Sequence, residues 1–326
     1  MTRRTALFLP ALAQVRGPAP IIVDTDAGSD DLLAIAFLLA RPDVSIEAIT
    51  VVNGLAHVEP GAANVCRLLT LAGKRDVSVY MGQAEPSNGN RAFPAEWRRT
   101  ADELPGVRLP VPAFEPERTP APEFLAERLG NPSRPVRVLA VGPLTNFAAA
   151  FRQSALLPAL EHLVIMGGAL RVRGNLGDGG AFHTANKNAE WNIFIDPSAA
   201  ETVFNSRARI MLIPLDATSK VPVDLAFLAE FQKRARTRLG QFAAQILESD
   251  KEAIQSGYFQ AWDPLAAVAL LHPSVVTTSR MAIEVLQAPG EQQGRTVEGK
   301  HRKANVAVAL DANRAEFKRR FLSAFE

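Results

Sequence analysis

The sequence predicts an α/β fold: a single domain with a central, mostly parallel sheet flanked by helices, of the Rossmann-like kind. Length and composition are the first observation, because 326 residues that are 47% hydrophobic can bury one large core. The second is the alternation of short β-branched runs with longer apolar helical runs from residue 21 onward, which is typical of parallel sheets. The third is that the run at 32–40 is apolar on every face, as expected of an element that is covered on all sides.

Each element follows from a local pattern. The first strand is a β-branched run after two prolines, and the first helix is an unbroken apolar stretch. Gly73 marks a helix end, while Asp196 and Asp263 each precede a proline, the pattern of an N-cap before the first helical residue. We predict strands at 21–23, 46–52, 77–80, 136–141, 163–166, 281–286 and 305–310, and helices at 32–40, 62–71, 123–129, 144–152, 198–204, 265–271 and 314–325.

Two long segments resist a regular assignment and are predicted to be loops. Residues 82–122 contain eight prolines, and residues 167–189 are rich in glycine and asparagine and include His183. Long loops in compact proteins are frequently functional. Because open parallel sheets bind ligands at the carboxyl ends of their strands, we expect the functional site beside the loops that follow the strands at 21–23, 136–141 and 163–166.

Charge and cysteine content exclude several classes of protein. Thirty-six basic and thirty-four acidic side chains leave a net charge of +2, unlike the basic surface of a nucleic-acid-binding protein. No apolar stretch approaches the roughly 20 residues that span a bilayer, so we expect no membrane segment. The single cysteine, Cys66, excludes an intrachain disulfide and a cysteine zinc cluster. It lies in an apolar run and is predicted to be a buried, unreactive thiol in a cytoplasmic protein.

The first residues carry a weak resemblance to a signal peptide. Arg3 and Arg4 precede a short apolar run that ends in a small-residue pattern at 11–13. Pro10 interrupts this run, and Arg16 follows closely. We therefore predict a disordered lead-in at residues 1–17, followed by one domain at residues 18–326.

Four carboxylates are crowded into the acidic turn that follows the first predicted strand. They are Asp24, Asp26, Asp30 and Asp31. Mutual repulsion and partial burial raise the pKa of such carboxyl groups, whereas a bound cation would keep them ionised. Carboxylate oxygen is a hard donor, and no histidine or cysteine lies nearby, so Ca²⁺ or Mg²⁺ is favoured over zinc or copper. The alternative is that Asp30 or Asp31 caps the helix and the other carboxylates are solvated.

Five motifs carry a family resemblance. The acidic turn at 23–31 resembles the N-terminal signature of the nucleoside hydrolases, Asp-x-Asp-Pro-Gly-x-Asp-Asp, with Ala27 in place of the proline. The others follow in chain order: Gly-Pro-Leu-Thr-Asn at 142–146, Met-Gly-Gly at 166–168 with Gly-Asn at 174–175, Ala-Glu-Trp-Asn-Ile-Phe-Ile-Asp-Pro at 189–197, and Ala-Trp-Asp-Pro-Leu at 261–265. The resemblance spans most of the chain from residue 21 and implies hydrolysis of the N-glycosidic bond of ribonucleosides to free base and ribose.

The resemblance implies one calcium ion per subunit at the bottom of the pocket. Its ligands would be Asp26, Asp31, the backbone carbonyl of Thr145, and Asp263. Calcium accepts about six to eight oxygen ligands, so places remain for a water and for ribose hydroxyls. Asp26 would also be the catalytic general base that acts on the calcium-bound water.

The ribose-binding residues that the resemblance implies are Asp30, Asn175, Glu190 and Asn192. Bond cleavage passes through an oxocarbenium-like state, which anionic and dipolar groups near the sugar stabilise. We expect Glu190 and Asn192 to point to one face because an extended segment would place them there. The family's further ribose contact after the second strand has no match, since Leu55 stands at the expected place and Asn53 is offset from it.

A tryptophan replaces the leaving-group acid of many family members. Those relatives carry a histidine just before the last calcium ligand, where this chain has Trp262. Tryptophan stacks on a base but does not usefully protonate it, and Trp97 could supply the opposing face. Both features resemble the purine-preferring, inosine-adenosine-guanosine branch of the family and imply a role in purine salvage. The alternative is two tryptophans that pack only for buried area.

Other functions remain alternatives at the level of the sequence. One is a pyrimidine or non-specific ribonucleoside hydrolase. Another is a phosphohydrolase with Asp24 as nucleophile and Asp26 as acid, although Gly28 stands where that motif needs threonine or valine. A third is a non-catalytic nucleoside binder, which would not need to retain Asp26 and Asp263. The resemblance suggests a homodimer or homotetramer whose other partner is the nucleoside.

Overall fold

The computed structural model of the chain describes residues 20–89, 91–132, 134–153, 157–178, 182–300 and 303–326. The lead-in predicted at 1–17 lies outside these residues. The described strands are β1 (Ile21–Thr25), β2 (Ile46–Val51), β3 (Ser78–Met81), β4 (Val136–Ala140), β5 (Leu160–Met166), β6 (Ile210–Ile213), β7 (Val276–Met281), β8 (Ile283–Val285), β9 (Thr296–Glu298) and β10 (Val306–Ala312).

The described helices lie between these strands and after them. They are α1 (Ser29–Leu39), α2 (Val58–Ala72), α3 (Ala95–Glu103), α4 (Ala121–Gly130), α5 (Thr145–Gln153), α6 (Trp191–Ile195), α7 (Pro197–Phe204), α8 (Leu215–Thr218), α9 (Leu225–Arg234), α10 (Arg238–Ser249), α11 (Lys251–Gln255), α12 (Trp262–Leu271) and α13 (Arg314–Ser323). None of the helices in the described ranges is long and apolar enough to cross a membrane.

Eight strands form one sheet in the order β3-β2-β1-β4-β5-β6-β10-β7. Neighbouring strands run parallel apart from β10 and β7, which are antiparallel. The first six strands follow the 3-2-1-4-5-6 order of doubly wound folds, in which the winding reverses between β1 and β4. Ligands bind at the carboxyl ends of the strands beside such a reversal. The predicted fold class is confirmed, and the reversal places the acidic turn and the start of α5 at this edge.

Both faces of the sheet are covered. Ile21 and Val23 of β1 belong to the core on one face, which α1, α2, α10, α12 and α13 cover, whereas Ile22 belongs to the core on the other, which α4, α5 and α7 cover. Eight of the eleven residues of α1 are buried. This two-sided burial accounts for the continuous apolar character of β1 and α1. Cys66 is also buried, and burial raises the pKa of its thiol to about 11, in agreement with the predicted unreactive thiol.

Several elements differ from the sequence prediction. The segment 82–122, predicted to be a loop, contains α3, which was missed because most of its nine residues are polar or charged and only Ala101 is buried. The strand predicted at 281–286 is divided, because β7 ends at Met281 and β8 pairs with β9 in a separate two-stranded sheet. Strand β6 and helices α9 and α10 were also missed, although α10 has a strongly amphipathic sequence.

Candidate active site

A cavity of about 510 Å³ opens at the carboxyl ends of β1, β4 and β5. Nine of the ten site residues named from the sequence line it: Asp26, Asp30, Asp31, Trp97, Asn175, Glu190, Asn192, Trp262 and Asp263. Thr145, which begins α5, is buried but is not part of the described cavity wall. The structure therefore brings together residues that lie up to 237 positions apart in the chain, between Asp26 and Asp263.

Asp31 closes the turn between β1 and α1. Its Oδ1 accepts hydrogen bonds from the Thr25 hydroxyl and from the backbone N–H of Asp26, at 3.1 Å, and its Oδ2 accepts the N–H of Gly28, at 3.1 Å. The capping role considered as an alternative is thus real for Asp31, yet its carboxylate also lines the cavity. Ala27 in the same turn has a φ of 56°, a left-handed conformation that costs a non-glycine residue about 1–2 kcal/mol.

Three carboxylates of the described residues lie close enough together to share a metal ion. One oxygen from each of Asp30, Asp31 and Asp263 lies within 4.8 Å of the other two. Burial, followed by repulsion between neighbouring carboxylates, raises the pKa of Asp30 and of Asp31 to about 7 and that of Asp263 well above its usual range. Oδ1 of Asp263 is enclosed and accepts no hydrogen bond from the described residues. This all-oxygen donor set with an orphaned acceptor fits a hard divalent cation.

The trio is not identical with the predicted calcium ligands. Asp30, assigned to the ribose, is one of its members, and Asp26, assigned to the metal, stands beside it. Burial and repulsion from Asp31 raise the pKa of Asp26 as well, and the backbone N–H of Asp26 donates to Oδ1 of Asp31 at 3.1 Å. The assignment of Asp26 to the metal and of Asp30 to the ribose thus remains a prediction.

Asp26 is held by the loop after β2. Its Oδ2 accepts the backbone N–H of Leu55 at 2.7 Å. A Cβ at position 54 would lie 2.1 Å from the same oxygen, so only glycine permits this approach. Leu55 lines the cavity, whereas Asn53 turns away from it and accepts a hydrogen bond from Arg98 Nη2 at 2.6 Å.

The N-cap predictions have different outcomes. Asp196 caps α7 as predicted, because its Oδ1 accepts the N–H of Ala199 at 2.9 Å and Pro197 is the first helical residue. Asp263 is wrong as an N-cap, since α12 already begins at Trp262 and its N-cap is Ala261. Because Asp263 lies inside the first turn, its carboxylate does no capping and projects into the cavity.

Glu190 and Asn192 line the cavity, but the backbone around them differs from the predicted conformation. The expected extended segment is wrong, because Trp191–Ile195 forms α6 with Glu190 as its N-cap. The Glu190 carboxylate accepts the backbone N–H groups of Asn192, at 2.9 Å, and Gly168, at 2.8 Å. Asn192 Nδ2 donates to the carbonyl of Val141 at 2.9 Å, beyond the end of β4. Capping therefore fixes both side chains at the strand ends.

Aromatic side chains form another part of the cavity wall. The ring of Trp97 lies 6.2 Å from that of Tyr258, and the ring of Trp262 lies 5.4 Å from it in an edge arrangement. Tyr258 thus contacts both predicted stacking residues. It was not among the site residues predicted from the sequence. The available signal was the aromatic cluster at 258, 259 and 262 just before the last motif. Burial, followed by nearby carboxylates that include Asp178 and Asp30, raises the pKa of Tyr258, so its hydroxyl stays neutral.

The chain is similar to known proteins over most of its length. The family model described as inosine-uridine preferring nucleoside hydrolase matches residues 21–319. Among curated proteins, the pyrimidine-specific ribonucleoside hydrolase RihA of Salmonella agona (strain SL483) is 32% identical over 308 residues, which are 91% of this chain and 95% of that protein. RihA of Escherichia coli O127:H6 has the same identity and coverage.

Solved structures show the same similarity. The plant nucleoside hydrolase PpNRh1 has a TM-score of 0.83 at 26% identity, covering 94% of this chain and 99% of that one. The purine-preferring ribonucleoside hydrolase from Gardnerella vaginalis has a TM-score of 0.80 at 26% identity, covering 94% and 98%. These relatives are all nucleoside hydrolases, which decides against the phosphohydrolase alternative. The chain belongs to the inosine-uridine preferring nucleoside hydrolase family and is a ribonucleoside hydrolase that acts on N-glycosidic bonds.

Proposed function

We propose that this enzyme is calcium-dependent and prefers purine ribonucleosides, releasing ribose and a free purine base. The observation that carries the proposal is the close group formed by Asp30, Asp31 and Asp263 in a cavity whose other walls include Trp97 and Trp262. The acidic group suits a hard cation and a polar sugar. The tryptophans suit a flat, apolar base.

Calcium would be held by Asp26, Asp31, Asp263 and the carbonyl of Thr145, and it would supply positive charge that orients ribose hydroxyls and makes water more acidic. Asp26 accepts the proton of the attacking water. Asp26 is suited to this role because it lines the cavity beside Asp31, and its Oδ2 is held by the backbone N–H of Leu55. Glu190, Asn192, Asn175 and Asp30 bind the ribose, and their negative and dipolar groups stabilise the positive charge that develops on the sugar.

Purine preference rests on the aromatic wall of the cavity, by which we mean Trp97, Tyr258 and Trp262. A purine offers a larger face than a pyrimidine to Trp97, Trp262 and Tyr258, so stacking favours it. No proton donor replaces the family's histidine at position 262. Stacking on electron-rich indole rings would make the departing purine easier to protonate from solvent.

Pyrimidine preference is the second candidate. It is favoured by the 32% identity to the pyrimidine-specific RihA enzymes over 91% of this chain. The two candidates share the acidic group and differ in what the aromatic wall accepts.

A reducing-sugar assay separates the candidates. Purified enzyme is dialysed against chelator and tested on inosine, adenosine, guanosine, uridine and cytidine, with calcium, with magnesium and with no added metal. We expect ribose release that depends on calcium and is fastest with a purine nucleoside. Release that is fastest from uridine or cytidine would select pyrimidine preference. Release that persists in excess chelator would overturn the calcium requirement, and Asp263→Asn provides a matched inactive control.

A further inference from the structure

Asp250 is a cavity carboxylate that neither the predicted metal site nor the predicted ribose site uses. It lies between α10 and α11 and lines the cavity together with Ser29, Ser249 and Ala253. The residue is half-buried, and its Oδ2 atom is enclosed and accepts no hydrogen bond from the described residues. It also lies outside the trio of carboxylates that could share a cation.

Helix capping does not explain Asp250. It occupies the N-cap position of α11, where an aspartate usually accepts a backbone N–H, but its side chain makes no capping hydrogen bond. The contrast within the chain is clear, because five other N-cap side chains do accept such bonds: Glu190, Asp196, Asp224, Thr237 and Asn313. The Asp250 carboxylate is therefore directed to something other than its own helix.

The described residues around Asp250 supply no hydrogen-bond donor to its Oδ2 atom. Burial raises the pKa of Asp250 to about 6, and the nearby Ser29 hydroxyl offsets this only in part. A buried acceptor without a donor is unfavourable, so a ligand that supplies a donor binds with an advantage.

The position of Asp250 indicates which part of a nucleoside would supply that donor. The ribose is assigned to the strand-end side, where Asp26, Glu190 and Asn192 lie. Asp250 lies beside Ser29 and near Asp30, on the part of the cavity wall that residues 249–256 contribute, and Trp97 and Tyr258 line the same cavity. A base stacked on the aromatic rings would present its outer edge to this wall.

We infer that Asp250 is a specificity-determining residue that accepts a hydrogen bond from a ring N–H on the outer edge of the nucleobase. The inference rests on the proposed nucleoside-hydrolase site but not on which base class it prefers. A 6-oxopurine offers N1–H and uracil offers N3–H, and both are donors flanked by a carbonyl group. A base that is methylated at that nitrogen lacks the donor and leaves the carboxylate unpaired in the complex.

Methylated substrates test the contact directly. The values of kcat/KM are measured for inosine against 1-methylinosine and for uridine against 3-methyluridine, with the wild type, Asp250→Ala and Asp250→Asn. A hydrogen bond to a charged group predicts roughly a tenfold to hundredfold preference for the unmethylated substrate in the wild type. We expect Asp250→Ala to lose most of this preference by slowing the unmethylated substrate, and Asp250→Asn, which keeps one acceptor oxygen, to lose it in part.

Controls keep this result distinct from loss of folding or of the proposed function. Glu248→Gln is the matched control, because Glu248 is an exposed acid two positions away that pairs with Lys251. Calorimetry with hypoxanthine and 1-methylhypoxanthine measures the same contact without turnover, and thermal unfolding verifies the variants. An equal loss on both members of a substrate pair, or no discrimination by the wild type, would overturn the role of Asp250. Failure to cleave any ribonucleoside would instead contradict the proposed function.

Discussion

The hydroxyl of Thr145 donates a hydrogen bond of 2.9 Å to Oδ2 of Asp196, and both residues are buried. Asp196 also accepts the backbone N–H of Ser87 at 2.7 Å and the Ser87 hydroxyl at 2.8 Å, besides capping α7. One carboxylate thereby joins the start of α5, the loop after β3 and the start of α7. Because the carbonyl of Thr145 is a proposed calcium ligand, we expect Asp196 to act as a positioning residue for it.

Removing the hydrogen bonds of Asp196 should lower both the free energy of unfolding and the affinity for calcium. We expect Asp196→Ala to lower the free energy of unfolding by about 2–4 kcal/mol, because several buried donors lose a charged acceptor. Thr145→Val removes only the hydroxyl, so a loss of about 1–2 kcal/mol is expected, with calcium affinity reduced severalfold. Urea denaturation with and without calcium measures both effects. Thr202→Val, which removes a comparable helical hydroxyl bond to Ser198, is the control whose calcium affinity should not change.

Removal of the cation should change how stability depends on pH. Burial raises the pKa of Asp24, Asp30 and Asp31 from 3.8 to about 7 in the folded protein. The folded state then binds more protons than the unfolded state between about pH 4 and 7, so the free energy of unfolding falls as the pH rises through this interval. We expect a fall of at least about 2 kcal/mol between pH 4.5 and 7.5 in chelator, since each pKa unit corresponds to about 1.4 kcal/mol.

Calcium should oppose this fall because it stabilises the ionised carboxylates. Asp24→Asn is an internal check. The Asp24 carboxylate accepts Asn146 Nδ2 through Oδ1 and has an orphaned Oδ2, so an asparagine amide can take the orphaned place. This variant should show a shallower pH dependence in chelator. A wild-type stability that is flat or rises over the interval would contradict the pKa shifts.

Local sequence motifs predicted which residues line the cavity better than they predicted the backbone conformation around those residues. Asp26, Asp31 and Asp263 could be located because each directly follows a strand or opens a helix, and the sheet order brings those points together. The conformation of 190–195 could not be predicted, since α6 has only five residues and depends on a cap that also bonds Gly168, 22 positions away. Helices α9 and α10 were within reach of the sequence, because Asp224 and Thr237 cap them and both are amphipathic.

The aromatic wall should decide the choice of base. We expect Trp262→Ala to lower kcat/KM for inosine by roughly tenfold to a hundredfold and for uridine by less, because stacking is worth about 1–3 kcal/mol per base and grows with ring area. Trp262→Phe keeps a flat ring and should retain part of the inosine activity. Steady-state assays on both nucleosides provide the measurement. An unchanged inosine rate in Trp262→Ala would remove stacking on this residue from the mechanism.

The hydrogen bond between Arg98 and Asn53 should also affect the binding of inosine, although neither residue is part of the described cavity wall. Arg98 Nη2 donates to Asn53 Oδ1 at 2.6 Å and ties α3 to the loop after β2, while the adjacent Trp97 faces the cavity. Arg98→Met keeps the apolar stem but frees the helix, so we expect KM for inosine to rise by about threefold to tenfold with kcat nearly unchanged, since one hydrogen bond is lost. Asn53→Ala should reproduce the effect, whereas Arg99→Met, at an exposed neighbouring position, should not. A matched rise in KM for Arg99→Met would mean that charge, and not the position of Trp97, controls binding.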